Sequence, residues 1–287
     1  MADSQIANKT VVITGANTGI GLETARDLAR KKARVVICAR NRQKAEAAVA
    51  DVKRTSGNDD VRLVLFDLAS QASIRAGAEE LLGTCERIDV LVNNAGLVLG
   101  ERQTTADGFE ATFGINHLGP FLLTHLLLDR LKASAPARII NVSSRAHTRV
   151  GGIWFDDLMV ERRRYVSFQV YCHSKLANVL FTRELARRIE GSGVVTHALH
   201  PGVVATDFGS SDDLGGIFGF FTKLARPFMI SPADGAKTTL HCVLSEEAGK
   251  KNGGYWSDSA PKEPSAAGRD DAAASRLWAE SVRLLGL

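Results

Sequence analysis

Tyr171 and Lys175 lie four residues apart in the stretch YCHSK and could act together in acid–base chemistry. Apolar residues recur around them at helical spacing, so both side chains are predicted to leave the same face of a helix. A nearby ammonium group favours the phenolate, which lowers the pKa of a tyrosine from its usual value of about 10. Such a phenol can donate a proton to a carbonyl oxygen or accept one from an alcohol. The pair alone is not specific, because this spacing also occurs by chance on many helices.

A glycine-rich turn near the start of the chain could position a cofactor for this chemistry. Residues 9–14 (KTVVIT) predict a buried strand, residues 22–31 predict a helix, and GANTGIG joins them. A turn of this kind directs backbone N–H groups and the helix dipole at a pyrophosphate. The spacing is GxxxGxG, and its strand–turn–helix context makes the motif specific. Its candidate cofactor-binding residues are Gly15, Asn17, Thr18, Gly19, Ile20 and Gly21.

The end of the second predicted strand, residues 33–39, indicates which dinucleotide would bind. It follows the glycine turn by about 20 residues, where an acidic side chain would favour NAD. Arg40 and Arg42 occupy this position instead. A guanidinium group suits a 2′-phosphate, so the sequence favours NADP(H). The alternative is that both arginines are only solvated at the strand end.

Strands and helices go on alternating, with further strands predicted at 61–66, 88–92, 137–142 and 194–199 and a last one near 253–256. This alternation predicts one α/β domain over residues 1–287, a Rossmann-type doubly wound parallel sheet of about seven strands with helices on both faces. Ligands bind at the carboxyl ends of such strands. The candidate cofactor-binding residues there are Asp67, Leu68, Asn94, Ala95 and Gly96, although the stretch NNAG could equally be a plain turn.

Two further polar residues are candidates for the site. Asn116 falls inside a helix predicted over 104–132, where asparagine is unfavourable, so it predicts either a local bulge or a packing role. Ser143 and Ser144 follow the strand 137–142 and project towards the same edge as the glycine turn. An irregular insertion, 145–170, separates them from the Tyr171 helix.

The composition excludes several other classes of protein. A net charge of +4 with scattered basic residues gives no nucleic-acid-binding surface. The four cysteines and seven histidines have no metal-type spacing, so we expect free thiols in a reducing compartment and no metal site. No window reaches the roughly 18 apolar residues of a membrane-spanning helix. Without a signal peptide at the polar N-terminus, we expect an intracellular protein, either cytoplasmic or peripheral to a membrane.

These motifs together resemble the short-chain dehydrogenase/reductase family over essentially the whole chain. The resemblance is carried by residues 14–21, by 93–96, by Asn116, Ser144, Tyr171 and Lys175, and by Pro201 and Gly202 with Thr206. The blocks 113–120, 171–178 and 200–204 are similar to the retinol dehydrogenases, a group of NADP(H)-dependent retinal reductases. Ser144 and Tyr171 are 27 residues apart, about twice the spacing of simpler family members. Many members of this group also have an apolar N-terminal anchor, which the first ten residues here do not provide.

The resemblance implies a role for each catalytic candidate. Tyr171 would be the acid/base, and Lys175 would lower its pKa and hold the nicotinamide ribose. Ser144, rather than Ser143, would hydrogen-bond the substrate oxygen. Asn116 would hold a water that links Lys175 to solvent. Thr206 would fix the nicotinamide carboxamide, next to the cofactor-binding candidates Pro201, Gly202 and Val204.

The resemblance also implies a substrate and partners. The apolar segment 214–230 falls within an expected substrate lid, about 207–231, and suits a greasy substrate or peripheral contact with a membrane; the alternative is a core-packing helix pair. We therefore expect reduction of retinal or a similar lipophilic aldehyde or ketone, and pairing as a homodimer or homotetramer. A steroid or xenobiotic carbonyl reductase is an alternative. A cofactor-binding scaffold protein is another, although it would predict loss of catalytic residues that are all present.

Overall fold

The computed structural model describes residues 6–202 and 230–287. They form an eight-stranded sheet in the order β3-β2-β1-β4-β5-β6-β7-β8, parallel except for the last strand, β8. This confirms the doubly wound α/β fold, with one strand more than expected. The strands are β1 (Thr10–Thr14), β2 (Arg34–Ala39), β3 (Val61–Leu65), β4 (Val90–Asn93), β5 (Ala137–Val142), β6 (Val194–His200), β7 (Gly254–Ser257) and β8 (Ala260–Lys262).

Helices cover both faces of the sheet, and each face has its own apolar core. One core lies beneath the helices 19–30, 42–56 and 232–244, and the other lies beneath the helices 71–84, 119–133, 167–188 and 271–285. The helices are α1 (Gly19–Arg30), α2 (Arg42–Ser56), α3 (Gln71–Thr84), α4 (Ala111–Phe113), α5 (Gly119–Ala133), α6 (Ser167–Arg188), α7 (Pro232–Leu244), α8 (Glu246–Lys250) and α9 (Asp271–Leu285).

The central strands are buried on both faces, because helices cover the sheet on either side. All five residues of β1 and all six of β5 are buried. Capping residues then fix where the helices begin. Asn41 accepts a hydrogen bond from the Lys44 amide to start α2, and Ser231 accepts one from the Asp234 amide to start α7. Because β1, β4, β5 and β6 are parallel neighbours in the sheet, their carboxyl ends meet at one edge.

Two sequence-based boundaries were wrong. The helix expected over 104–132 begins only at Ala111, because residues 104–110 double back through an isolated bridge between Thr104 and Glu110. The buried Glu110 carboxylate then accepts hydrogen bonds from the amides of Thr112 and Phe113 and caps the helix. The sheet also continues past the last predicted strand, near 253–256, into β8, which pairs antiparallel with β7 and tolerates Pro261 as an edge strand.

Among the described residues, no helix is both long and apolar enough to cross a membrane. All four cysteines are free and buried, as the sequence predicted. No cluster of three or more metal-ligating side chains occurs within 6–202 and 230–287.

Candidate active site

The glycine turn has the geometry that its motif predicts. Gly15 and Gly19 adopt φ of +65° and +56°, which glycine reaches without strain, and α1 begins directly at Gly19. A Cβ on Gly21 would lie 2.5 Å from Nδ2 of Asn94 and 2.6 Å from the Gly15 carbonyl oxygen. The first turn of α1 can therefore approach the sheet edge only with glycine at position 21. The first-turn N–H groups of α1, which have no partner within the helix, are then available to a ligand near the carboxyl ends of the strands.

The loop after β4 is tied to this turn by short side chains. Nδ2 of Asn94 donates to the Thr14 carbonyl oxygen at 2.9 Å. The amides of Asn94 and Ala95 both donate to Oγ1 of Thr14, at 3.0 and 3.1 Å. The sequence indicates Thr14 only as part of the glycine motif, because its hydrogen-bond partners in the β4 loop are about 80 residues away. These hydrogen bonds hold the two loops together, so that they can form one side of a ligand site.

The adenosine side of the expected cofactor site contains the two arginines. Arg40 is exposed directly after β2, and no ion pair engages it within the described part of the chain. Arg42 is the first residue of α2 and pairs with Glu46 at 3.3 Å. Across the crevice, Asp67 accepts the Ala69 amide and Leu68 packs against Gly119. Arg40 is therefore the more available of the two cations.

Asn116 lies in a π-helical turn, Gly114–Leu118, between α4 and α5. This confirms the bulge that its unfavourable position in a helix predicted. Its side chain exchanges two hydrogen bonds of 2.8 Å with the backbone of Leu97 and donates to Oγ of Ser174 at 3.0 Å. The π turn consequently joins the β4 loop to helix α6.

The two serines after β5 have different roles in the structure. The Ser143 hydroxyl is buried and donates to the backbone oxygen of Lys175 at 2.7 Å. The Ser144 hydroxyl accepts the Ala146 amide at 3.1 Å and lies near enough to the Tyr171 phenol to act on its pKa. Of the two serines, Ser144 is therefore the one that acts on the pKa of the phenol.

Tyr171 and Lys175 project from the same face of α6, as expected, but their pKa values differ from the sequence-based expectation. Burial raises the pKa of Tyr171 to about 12, against the opposing effect of the Ser144 hydrogen bond. Burial also lowers the pKa of Lys175 to about 8. The ammonium is 5.6 Å from the centre of the phenol ring and does not offset the cost of a buried phenolate. In this state of the protein, desolvation outweighs the attraction that the spacing predicted.

The surroundings of Lys175 leave room for a polar ligand. Its Nζ donates to the Val142 carbonyl oxygen at 3.0 Å, and no carboxylate pairs with it among the described residues. A Cβ on Gly96 would lie only 3.1 Å from this Nζ and 3.3 Å from Oδ1 of Asn116. A buried cation with unused donors, next to a glycine, suits hydroxyl groups such as those of a ribose.

The insertion between Ser144 and Tyr171 packs against the other side of α6. The Trp154 ring stacks on His173 with centroids 4.5 Å apart, and the Trp154 amide donates to Nε2 of His173 at 2.9 Å. The Arg163 guanidinium lies 4.3 Å from the centre of the Trp154 ring. His173 therefore packs against Trp154 and accepts a hydrogen bond from it. Its partner Trp154 was missed, since an irregular loop gives no periodic signal.

The remaining candidates lie at the end of β6. Pro201 and Gly202 follow that strand directly, and Gly202 has φ of +96°. A Cβ on Gly202 would collide with the Ile230 side chain. Val204, Thr206 and the lid expected over 207–231, except for its last two residues, lie outside the described residues.

Comparisons with known proteins agree with this arrangement. A sequence model of the short chain dehydrogenase family matches residues 9–156. Human retinol dehydrogenase 12 is 48% identical over 99% of this chain and 88% of its own length, and human retinol dehydrogenase 13 is 47% identical over 98% and 86%. The crystal structure of an uncharacterised protein from Mycobacterium paratuberculosis, 36% identical, superposes with a TM-score of 0.79 over 98% of this chain and 94% of that one. The chain therefore belongs to the short-chain dehydrogenase/reductase family and, within this family of oxidoreductases, to the retinol dehydrogenase group.

Proposed function

We propose that this protein is an NADP(H)-dependent reductase that converts retinal or a similar lipophilic aldehyde or ketone to the alcohol. The observation that carries the proposal is the grouping of Ser144 with Tyr171, whose pKa the Ser144 hydroxyl lowers against the effect of burial, one helical turn from the buried Lys175. A hydroxyl pair of this kind can hold one carbonyl oxygen between two O–H groups. Asn116 braces the β4 loop against the same helix.

A nicotinamide dinucleotide fits the crevice. The glycine turn offers N–H groups for a pyrophosphate, and Lys175 offers donors for a ribose. When bound, the nicotinamide would supply the hydride that reduces the carbonyl carbon. Arg40 supports the phosphorylated form, because it is exposed and no ion pair engages it among the described residues, with Arg42 as a second cation nearby. We also assign the cofactor-binding and carboxamide-holding roles of Pro201, Gly202, Val204 and Thr206 by family resemblance.

Side chains of this protein would donate the proton and orient the substrate oxygen. Tyr171 keeps its proton at neutral pH, because burial raises its pKa to about 12, so it is ready to donate during reduction. The Ser144 hydroxyl orients the substrate oxygen towards this phenol. Lys175 can then favour the phenolate that remains after the proton has left, and Asn116 would hold the water that connects Lys175 to solvent.

A lipophilic substrate is supported by the apolar surface near Tyr171. Val166 and Phe168, at the start of α6, are 38% and 42% exposed, and Ile230 borders Gly202. The names of the relatives favour retinoids within this class. We further propose a lid over 207–231, contact of 214–230 with a membrane surface, and pairing into a homodimer or homotetramer. Because α9 packs on α6 and contacts Phe121 of α5, such pairing would use the faces that α9 leaves uncovered.

The function is tested by following cofactor oxidation in purified protein supplied with NADPH or NADH. Separate reactions contain all-trans-retinal, a steroid ketone or no carbonyl. We expect turnover with NADPH and retinal and little with NADH. Turnover of only the steroid ketone would show that retinal is the wrong substrate but that the proposed carbonyl reduction is right. Tight NADPH binding without turnover of any carbonyl would contradict the proposal and favour a scaffold protein.

A further inference from the structure

His147 is a buried histidine, 1% exposed, whose two ring nitrogens both have partners. It lies in the 3₁₀ turn Arg145–Arg149, directly after β5 and the two serines. Nδ1 is 2.7 Å from the Ser144 carbonyl oxygen, and Nε2 is 3.2 Å from the amide nitrogen of Ser265. Since the Ser265 amide can only donate, Nε2 must accept, and Nδ1 carries the proton that it donates to Ser144.

The ring is also held in place by its neighbours. The Tyr255 ring of β7 packs against it with centroids 4.9 Å apart. Ser265 lies in the segment between β8 and α9, where its hydroxyl accepts the Gly268 amide at 3.2 Å. Burial lowers the pKa of His147 and so favours the neutral ring that this pair of hydrogen bonds needs. His147 therefore connects the turn after β5 to the segment that leads into the last helix.

The same turn determines where the Ser144 hydroxyl points. The Ser144 carbonyl oxygen accepts two hydrogen bonds from His147, one from Nδ1 and one from its backbone amide at 3.1 Å. The Ser144 hydroxyl accepts the Ala146 amide and acts on the pKa of the neighbouring Tyr171 phenol. With its carbonyl and its hydroxyl both fixed by the next three residues, Ser144 has one orientation.

We propose that His147 is a positioning residue, which holds the Ser144 hydroxyl towards Tyr171 and the substrate oxygen by clamping the Ser144 carbonyl to the segment before the last helix. This inference rests on the proposed function, because it takes Ser144 as the serine that binds the substrate oxygen. His147 itself touches neither the phenol nor the substrate. Its effect passes entirely through Ser144.

Two substitutions separate positioning from bulk packing. His147→Phe keeps a ring against Tyr255 but removes both hydrogen bonds, whereas His147→Asn keeps a donor near the place of Nδ1. Since small misplacements of a reacting group can cost about 100-fold, we expect His147→Phe to lower kcat by about 10- to 100-fold. KM and the affinity for NADPH should change little. His147→Asn keeps the donor to Ser144 but loses the link to Ser265, so it should restore part of the lost kcat. A folded His147→Phe variant with the kcat of the parent protein would overturn the proposal.

His197 provides a matched control. It is also fully buried, and its two ring nitrogens contact the Ala248 carbonyl oxygen and Nε1 of Trp256, away from the two serines. His197→Phe should therefore lower the free energy of unfolding without lowering kcat. The two variants could instead lose kcat equally, in proportion to their lost stability. That result would show that His147 has only a structural role.

A double-mutant cycle tests whether the effect passes through Ser144. In a Ser144→Ala background, His147→Phe should cause little further loss of kcat. A full additional loss would contradict the proposal. An unchanged kcat in Ser144→Ala alone would instead refute the role given to Ser144 in the proposed function, whatever the His147 variants do.

A structural readout keeps the inference testable if no carbonyl is turned over. Nitrogen-15 NMR of the His147 ring should find Nδ1 protonated and Nε2 unprotonated. Crystal structures should find the Ser144 hydroxyl turned away from Tyr171 in His147→Phe but not in His147→Asn. A protonated Nε2, or an unmoved Ser144, would overturn the positioning role independently of any activity.

Discussion

The two sides of the candidate site depend on different kinds of residue and interaction. On the cofactor side, glycines and the short side chains of Thr14 and Asn94 fix two loops through backbone hydrogen bonds. On the α6 side, two ionisable groups lie close together, and desolvation moves the pKa values of Tyr171 and Lys175 in opposite directions. The first side offers shape and N–H groups, and the second offers protons. We infer that binding and chemistry can be damaged separately.

The largest expected effect on the cofactor side comes from Gly21→Ala. The added Cβ would meet Nδ2 of Asn94 and the Gly15 carbonyl oxygen, so α1 must move away from the β4 loop. Overpacking of this kind costs up to about 3 kcal/mol. The free protein relieves this strain by moving α1, and NADPH binding must restore the native turn, so NADPH affinity should fall by up to about 100-fold. Calorimetric titration with NADPH measures it. Gly83→Ala is the control, because a Cβ there meets nothing within 4 Å. Unchanged affinity in Gly21→Ala would mean that the turn does not hold the cofactor.

A smaller effect on NADPH affinity is expected at the adenosine end of the cofactor side. Arg40→Asp should weaken NADPH binding about tenfold while leaving NADH binding nearly unchanged, because one charge-assisted hydrogen bond to the 2′-phosphate contributes about 1.5 kcal/mol. Affinities for both cofactors are measured by titration. Arg62→Asp makes the same change in net charge on β3 and should leave both affinities alone. Equal losses for NADPH and NADH in Arg40→Asp would show that Arg40 does not contact the phosphate.

The smallest effect belongs to the α6 side and appears as a pH dependence of stability. Lys175 has a pKa of about 8 in the folded protein, and an unfolded lysine has one of about 10.4. Between these values the unfolded chain keeps the proton that the folded protein has released, so stability rises with pH.

Comparison with Lys175→Met isolates this contribution. From pH 7.5 to 9, the free energy of unfolding of the parent protein should rise relative to the variant by about 1 kcal/mol. Denaturant unfolding at both pH values measures the change. Lys132→Met, at an exposed position of α5, is the control for removing one positive charge. A constant difference between parent and Lys175→Met would contradict the depressed pKa of Lys175.

The sequence predicted the two sides unequally well. β5 spans Ala137–Val142 as expected, and the glycine turn has its predicted geometry, because buried strands and glycine motifs are local signals. The Thr14 hydroxyl and the Glu110 cap were not predicted as contacts, since each depends on how distant or irregular segments pack. The pKa of Tyr171 was predicted in the wrong direction for the same reason. Spacing gives the distance to a cation, but burial depends on the whole fold.

The most direct test of the division between binding and chemistry is Tyr171→Phe. The substitution removes the phenol oxygen and keeps the ring, so Ser144 and the glycine turn stay in place. NADPH affinity and single-turnover reduction are measured on the same preparation. We expect affinity within about twofold of the parent and turnover lower by about 1000-fold or more, as for loss of a general acid. Undiminished turnover would contradict the role of Tyr171, and a parallel loss of NADPH binding would contradict the separation of the two sides.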